Sequence, residues 1–192
     1  MPTTHPEPQP GMAGLVDRYL GPGATPLDRV RVMLAGGGGA LLGLLTVPAP
    51  LAERILLGLL AAELCAGLMA ALNHAGKAWI HRPHQRMSRL ALHVGYQCLI
   101  LGAFIWIYRG QDVELLRDAA GLLIAGSVSI MVTPGPAQRA VGLVALLAVM
   151  LAIQQWHGLP TTAAWFLPLF FARTFLAHLP APRPTTSGPE DP

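Results

Sequence analysis

The chain has 192 residues, of which 53% are hydrophobic and only 12% charged, and its mean hydropathy is +0.48. That is too little charge to cover the surface of a water-soluble globule of this length, so the composition excludes an ordinary soluble domain. The net charge of +3 with histidines neutral calls for no nucleic-acid partner, because retention of Lys and Arg on the cytoplasmic side of a bilayer accounts for it.

Residues 1–27 are polar and proline-rich, with Pro2, Pro6, Pro8, Pro10, Pro22 and Pro26 ahead of the first apolar run. They read as a flexible cytoplasmic tail with a short interfacial helix around Leu15–Leu20, without the apolar core of a cleavable signal. Apolar runs then recur, each long enough for a hydrocarbon core ~30 Å thick at about 1.5 Å per residue. The predicted helices cover 30–47, 51–73, 90–108, 115–133, 139–157 and 161–179. The fold class expected is therefore all-α, a polytopic bundle of six transmembrane helices in one domain over residues 28–179. Residues 180–192 read as a second cytoplasmic tail. A transmembrane barrel needs strands that alternate apolar and polar residues, and stretches such as GLVALLAVMLAI (Gly142–Ile153) do not alternate.

Lys and Arg in short loops set the orientation. With the N-terminus inside, Arg18, Arg29, Arg31, Lys77, Arg82, Arg86, Arg89, Arg139 and Arg183 are cytoplasmic, against Arg54, Arg109 and Arg117 outside. Trp106, Tyr108, Trp156 and Trp165 then fall at the outer ends of helices, where amphipathic rings favour the headgroup level. Both termini are expected in the cytoplasm and the bundle in the plasma (inner) membrane.

Two turns resemble each other: TVPAPLAER (Thr46–Arg54) after the first predicted helix and VTPGPAQR (Val132–Arg139) after the fourth. An offset of three helices places the copies in opposite directions through the bilayer, as in the inverted halves of secondary transporters. Proline at any tight inter-helix turn gives the same look, because it cannot continue a helix. The same run, LLIAGSVSIMVTPGPAQRAVGL, resembles the TPGP motif of small amino-acid exporters of the lysine-exporter type. In that family the motif belongs near the chain start, whereas Thr133–Pro136 follows the fourth helix here, and no membership follows. Gly36, Gly37, Gly38 and Gly39 inside the first helix favour close backbone packing, and Gly39 and Gly43 complete a GxxxG pair. An unwound stretch lining a cavity is the functional alternative.

Glu63 stands near the middle of the second helix, where an ionised carboxylate is costly unless paired, hydrated or protonated. Arg173 in the sixth helix lies at similar depth, about twelve residues from the outer end of its span, which makes the two an ion-pair candidate. The alternatives are a purely structural pair and a snorkelling arginine that never meets the glutamate. The segment Asn73–His93 carries His74, His81, His84 and His93, and His178 ends the sixth helix on the same side. Neutral imidazoles there are candidate metal ligands, and His93 with His178 is a candidate haem clasp. The bland alternative is a basic loop against anionic headgroups. Tyr96, Gln97, Ser127, Ser129, Gln154 and Gln155 are polar positions for one interior cavity, or helix-bridging hydrogen bonds. The candidate binding residues are thus Glu63, Arg173, His74, His93 and Gln97.

No catalytic residues emerge: GxSxG, HExxH, P-loop and dinucleotide signatures are missing, and Cys65 and Cys98 form no CxxC. No cofactor is specified by sequence. Three readings stay open. The first is a small secondary transporter or channel-like protein for an ion or small solute. The second is a non-catalytic membrane subunit or assembly factor, with a membrane-protein partner or a second copy. The third is a membrane-embedded metal or haem enzyme. The lipid bilayer is a partner in all three.

Overall fold

A computed structural model describes residues 7–82, 86–110, 112–158 and 164–181. His84, residues 1–6 and the C-terminal tail from residue 182 onward lie outside the described residues. Within them every regular element is helical: α1 (Gly11–Leu20), α2 (Pro26–Thr46), α3 (Leu51–Leu72), α4 (His74–Ile80), α5 (Arg86–Arg109), α6 (Val113–Val132), α7 (Ala137–His157) and α8 (Phe166–Ala172), which continues as a π-helical turn, Arg173–His178. Four of these, α3, α5, α6 and α7, are long and apolar enough to cross a membrane, as in an integral membrane protein.

The sequence expectation of six spans is reached only in part. Helix α2 has the length, but Arg29 and Arg31 in its opening turns and its run of glycines dilute its hydropathy. The last apolar helix, Phe166–His178, is short for a full crossing. The two inverted halves also go no further than a local likeness of turns. In the first turn the Arg54 Nε donates to the Leu44 carbonyl at 2.6 Å, and in the second the Gln138 Nε2 donates to the Ile130 carbonyl at 3.2 Å. Thr46 and Thr133 each donate a hydroxyl to the carbonyl four residues earlier. Arg54 and Gln138 thus supply donors to the Leu44 and Ile130 carbonyls, whose i+4 residues are Pro48 and Pro134, while the threonines add side-chain bonds within the last turn of each helix.

The short helix expected around Leu15–Leu20 is present as α1. Helix α1 ends at Gly21, whose φ of 88° only glycine adopts readily, and that residue lies against the backbone of Ala75 in α4. Leu20, Ala24, Val32 and Ala70 bury together, so α1 docks on the adjoining ends of α2 and α3. The start of α2 is fixed by Thr25, whose hydroxyl accepts from the Asp28 amide while the Asp28 carboxylate accepts from the Thr25 amide, with Pro26 as first helical residue.

Helices α2 and α3 form a tightly paired hairpin through small residues. A Cβ on Gly43 would lie 2.6 Å from Gly58 Cα, and one on Gly39 would overlap the Ala61 carbonyl. Gly37 and Gly38 face open space instead. The glycine run is therefore continuous helix, and the unwound alternative does not occur. Three further glycines seat the last helix: Gly126 of α6 and Gly142 of α7 lie against the Phe175 ring and carbonyl, and Gly67 of α3 lies against the Arg173 guanidinium. The core around them combines buried leucines and isoleucines with a group of phenylalanines. Phe166, Phe170, Phe171 and Phe175 are fully buried, and Phe104 of α5 stacks on Phe166 with ring centroids 3.6 Å apart.

The two glycine faces predict a sharp contrast. Gly43→Leu or Gly39→Leu forces the α2–α3 backbones apart and is expected to lower the melting temperature in detergent severely or abolish monodisperse protein. Gly37→Ala and Gly38→Ala are expected to be neutral or to stabilise α2, by at most about 1 kcal/mol each. Equal effects on both faces would show that α2 packs differently.

Candidate functional site

The two midspan charges meet. Arg173, at the start of the π-helical turn, donates through Nη1 and Nη2 to the two carboxylate oxygens of Glu63 on α3, a bidentate fork. The arginine side chain is 4% exposed and the glutamate 24%, so the cation is the desolvated partner and the carboxylate faces open space. Absence of a side chain at Gly67 makes room for the guanidinium. Arg173 is not a snorkelling residue, because its head group is turned into the bundle. Its Nε has no hydrogen-bond partner among the described residues, which leaves one donor unused beside the pair.

The open space is a cleft of about 430 Å³ that runs from the α1–α4 end of the molecule to the pair. Glu63, Gly67 and Arg173 form its floor. Tyr96 and His93 of α5, His178 of α8 and Tyr19 of α1 form its walls, and Arg18, Trp79 and Arg89 its rim. Both phenols interact with the ion pair electrostatically. Burial pushes the Tyr19 hydroxyl up to about 12, an effect that the nearby Arg173 charge moderates.

The histidines are arranged by the π-helical turn. In that turn Leu179 donates its amide to Thr174, five residues back, and the His178 Nδ1–H donates to the Arg173 carbonyl at 3.2 Å. The His81 Nε2–H in turn donates to the carbonyl of His178 at 3.0 Å. His178 and His93 stack face to face, with centroids 4.0 Å apart and planes 9° from parallel. One turn further along α5, the fully buried Gln97 donates to His93 Nε2 at 3.4 Å. Stacked rings direct their nitrogens sideways and leave no room between them for a macrocycle, so the haem clasp expected of His93 and His178 is not formed. Among the described residues no group of three or more His, Cys, Asp or Glu side chains has metal-site geometry.

Of the candidate residues, Glu63, Arg173 and His93 line one cleft, and Gln97 supports His93 from beneath. His74 does not join them: it is exposed at the start of α4, away from the cleft. The single interior cavity proposed for the polar positions is also not formed. Ser127 is buried elsewhere, Ser129 turns back to the Ala125 carbonyl, and Gln154 and Gln155 are exposed. The short helix expected around Leu15–Leu20 is present and carries Arg18 and Tyr19, but the sequence did not assign either to a site; the helical spacing of Leu15, Val16, Tyr19 and Leu20 marks the apolar face by which that helix could dock.

Compared with known protein families, curated proteins and solved structures, the chain matches none.

The unequal burial of the pair predicts an asymmetric mutant cycle. Glu63→Ala leaves Arg173 buried without its carboxylate and is expected to cost about 3–5 kcal/mol of stability. Arg173→Met leaves a carboxylate that the cleft can hydrate and is expected to cost less. The double replacement Glu63→Met with Arg173→Met should recover most of the loss, measured by melting in detergent.

Tyr19 gives a pH signature. An unfolded tyrosine ionises near 10, whereas Tyr19 in its cleft ionises near 12. Its contribution to stability is therefore whole below pH 10 and is lost as pH rises toward 12. Phenolate absorbance should show a component near 12 that is missing in Tyr19→Phe; loss of a component near 10 instead would place Tyr19 outside the cleft.

Proposed function

We propose that the chain is a small secondary transporter or channel-like protein of the plasma (inner) membrane. In this reading it has six spans and cytoplasmic termini, and Glu63 is its proton- or cation-binding carboxylate. The observation that carries the reading is the Glu63–Arg173 pair at the floor of a cleft, with the carboxylate side turned to the open space. A pair that only fixed helix packing would gain nothing from a cleft leading to it.

The chemistry follows from competition. While Glu63 is ionised it occupies both Nη groups of Arg173. Protonation of Glu63, or capture of a cation by it, weakens that fork and releases the guanidinium. Binding at the floor is thereby linked to proton or cation binding, which is what coupled transport requires. Beyond the pair, toward the Pro-turn end, Phe104, Phe166, Phe170 and Phe171 fill the interior without a break. Access from one end with aromatic packing at the other is the arrangement of an alternating-access protein open to one side. Under the proposed orientation the open side is cytoplasmic, since α1, α4 and the basic segment around Arg82 lie there.

The test is flux in proteoliposomes that contain a pH-sensitive dye, under imposed proton, sodium or potassium gradients. Wild-type protein is expected to move at least one of these ions. Glu63→Gln, which keeps the shape and removes the charge, should stop that movement while retaining the wild-type elution profile. Equal flux from the two proteins overturns the reading.

A further inference from the structure

Helix α1 borders a second space, on the side away from the cleft. It packs on α3 and α4, and Leu20 buries with Val32 and Ala70, so α1 lies across the level at which α3 ends its apolar span at Leu72. Between α1 and α2 a groove of about 450 Å³ remains, a size ordinary for a small-molecule site. Leu15, Val16 and Tyr19 of α1 and Val32 and Met33 of α2 line it, and among its described lining residues Arg29 alone is charged. Protein does not close the groove over: Leu15, Tyr19 and Met33 are exposed, Met33 to 75%. The exposed apolar surface runs on along α2 through Leu34, Leu41 and Leu45, which recur on one face at helical spacing. Arg29 stands one turn before Val32 and Met33 on the groove side. Its partner Asp17 lies 3.7 Å away, beyond hydrogen-bond length, and already accepts from the Gln9 amide at 3.1 Å. The Arg29 side chain stays 48% exposed.

We propose that this groove binds one anionic phospholipid, with an acyl chain between α1 and α2 and the headgroup phosphate on Arg29. The occupant follows from polarity and place. A ligand that fits must be apolar beside Val16, Val32 and Met33 and anionic one turn away, beside Arg29. The groove also opens onto the surface that the α2–α3 hairpin turns outward, which is the surface a bilayer covers when α3 crosses it. A phospholipid of the adjoining leaflet meets both conditions without leaving the membrane. Guanidinium N–H groups match phosphate oxygens as paired donors, and basic groups at a membrane surface attract anionic lipid. In this arrangement α1 is a clasp that holds the lipid against α2. Tyr19 lines both the groove and the cleft, so the lipid backs the cleft wall from behind. The inference goes beyond the transport reading and does not rest on it.

The test is native mass spectrometry of the purified full chain, released from neutral detergent after incubation with phosphatidylglycerol and phosphatidylcholine in equal amounts. Wild-type protein is expected to retain one phosphatidylglycerol in preference to phosphatidylcholine. Arg29→Gln removes the charge-assisted contact and should lower phosphatidylglycerol retention about tenfold. Arg29→Lys keeps the charge and should keep part of the preference. Leu15→Trp and Val16→Trp fill the groove and should remove the retained lipid, whereas Leu151→Trp, on an exposed position of α7, should leave it at the wild-type level. Leu15 and Val16 are themselves exposed, so their replacement leaves the core intact, and a wild-type elution profile checks this for each variant. Equal retention of the two lipids by wild-type protein overturns the proposal. So does a preference that survives Arg29→Gln, or one that survives both tryptophan variants. A lipid-free dimer overturns it as well, because a second copy then covers the groove. No flux enters the measurement, so a Glu63→Gln variant with wild-type flux would remove the transport reading and leave the lipid site standing.

Discussion

The constraint on which the remaining structure depends is the burial of one guanidinium inside an apolar bundle. A charge in hydrocarbon is expensive, and pairing offsets that cost only with good geometry and an exact partner count. Arg173 meets the first demand by a two-point fork to Glu63. The bundle is shaped around that fork. Gly67 on α3 vacates the volume the guanidinium fills, and Gly126 and Gly142 let the same helix lie close against α6 and α7 through Phe175. Small residues permit such approach in membranes, where no aqueous driving force presses helices together. The last helix is short, but it touches every neighbour that sets the site.

The π-helical turn belongs to the same constraint. Widening the helix at Arg173–His178 replaces the usual ladder by bonds to the fifth residue, and the His178 ring returns to the Arg173 carbonyl as a substitute donor. A single side chain thus satisfies the backbone at the residue that carries the charge and lays a flat face against His93. Through His93 the arrangement continues to Gln97, and through His81 to the exposed end of α4. Of the histidines expected to hold a metal, His81, His93 and His178 act in this structure as hydrogen-bonding and stacking groups between the end of α4, α5 and the π-helical turn.

Much of this was legible because hydrocarbon imposes one-dimensional rules. The lengths of the apolar runs located α2, α3, α5, α6 and α7 to within a few residues, and depth along two runs was enough to match Glu63 with Arg173. What depth does not carry is azimuth. Whether Gln154 and Gln155 face the interior or the surround depends on which side of α7 meets α6 and α8, and a helix apolar around its circumference gives no stripe to read. The same limit hid Gly67, Gly126 and Gly142 among the 21 glycines of the chain. Helix α1 was expected around Leu15–Leu20, but its docking was not legible, because it depends on Gly21 and Leu20 meeting α4 and α3, a tertiary contact that local polarity does not encode.

The polarity of the molecule follows from where its two kinds of turn lie. At one end the Pro-x-Pro hairpins are braced by their own side chains, the first beside a pocket of about 410 Å³ lined by Pro48, Pro50, Glu53 and Arg109, and Trp165 ties the start of α8 to Thr46 through a 3.1 Å hydrogen bond. Between that end and the pair lie the packed rings of Phe104, Phe166, Phe170 and Phe171. At the other end the connection between α3 and α5 is made by α4 and a basic segment, and α1 lies across it without filling the space. The cleft that reaches the Glu63 carboxylate opens toward the α1–α4 end. Arg18 and Arg89 stand at the rim of that cleft, and the balanced Glu63–Arg173 pair stands at its floor. The pair that seats the last helix is therefore also the floor of the cleft.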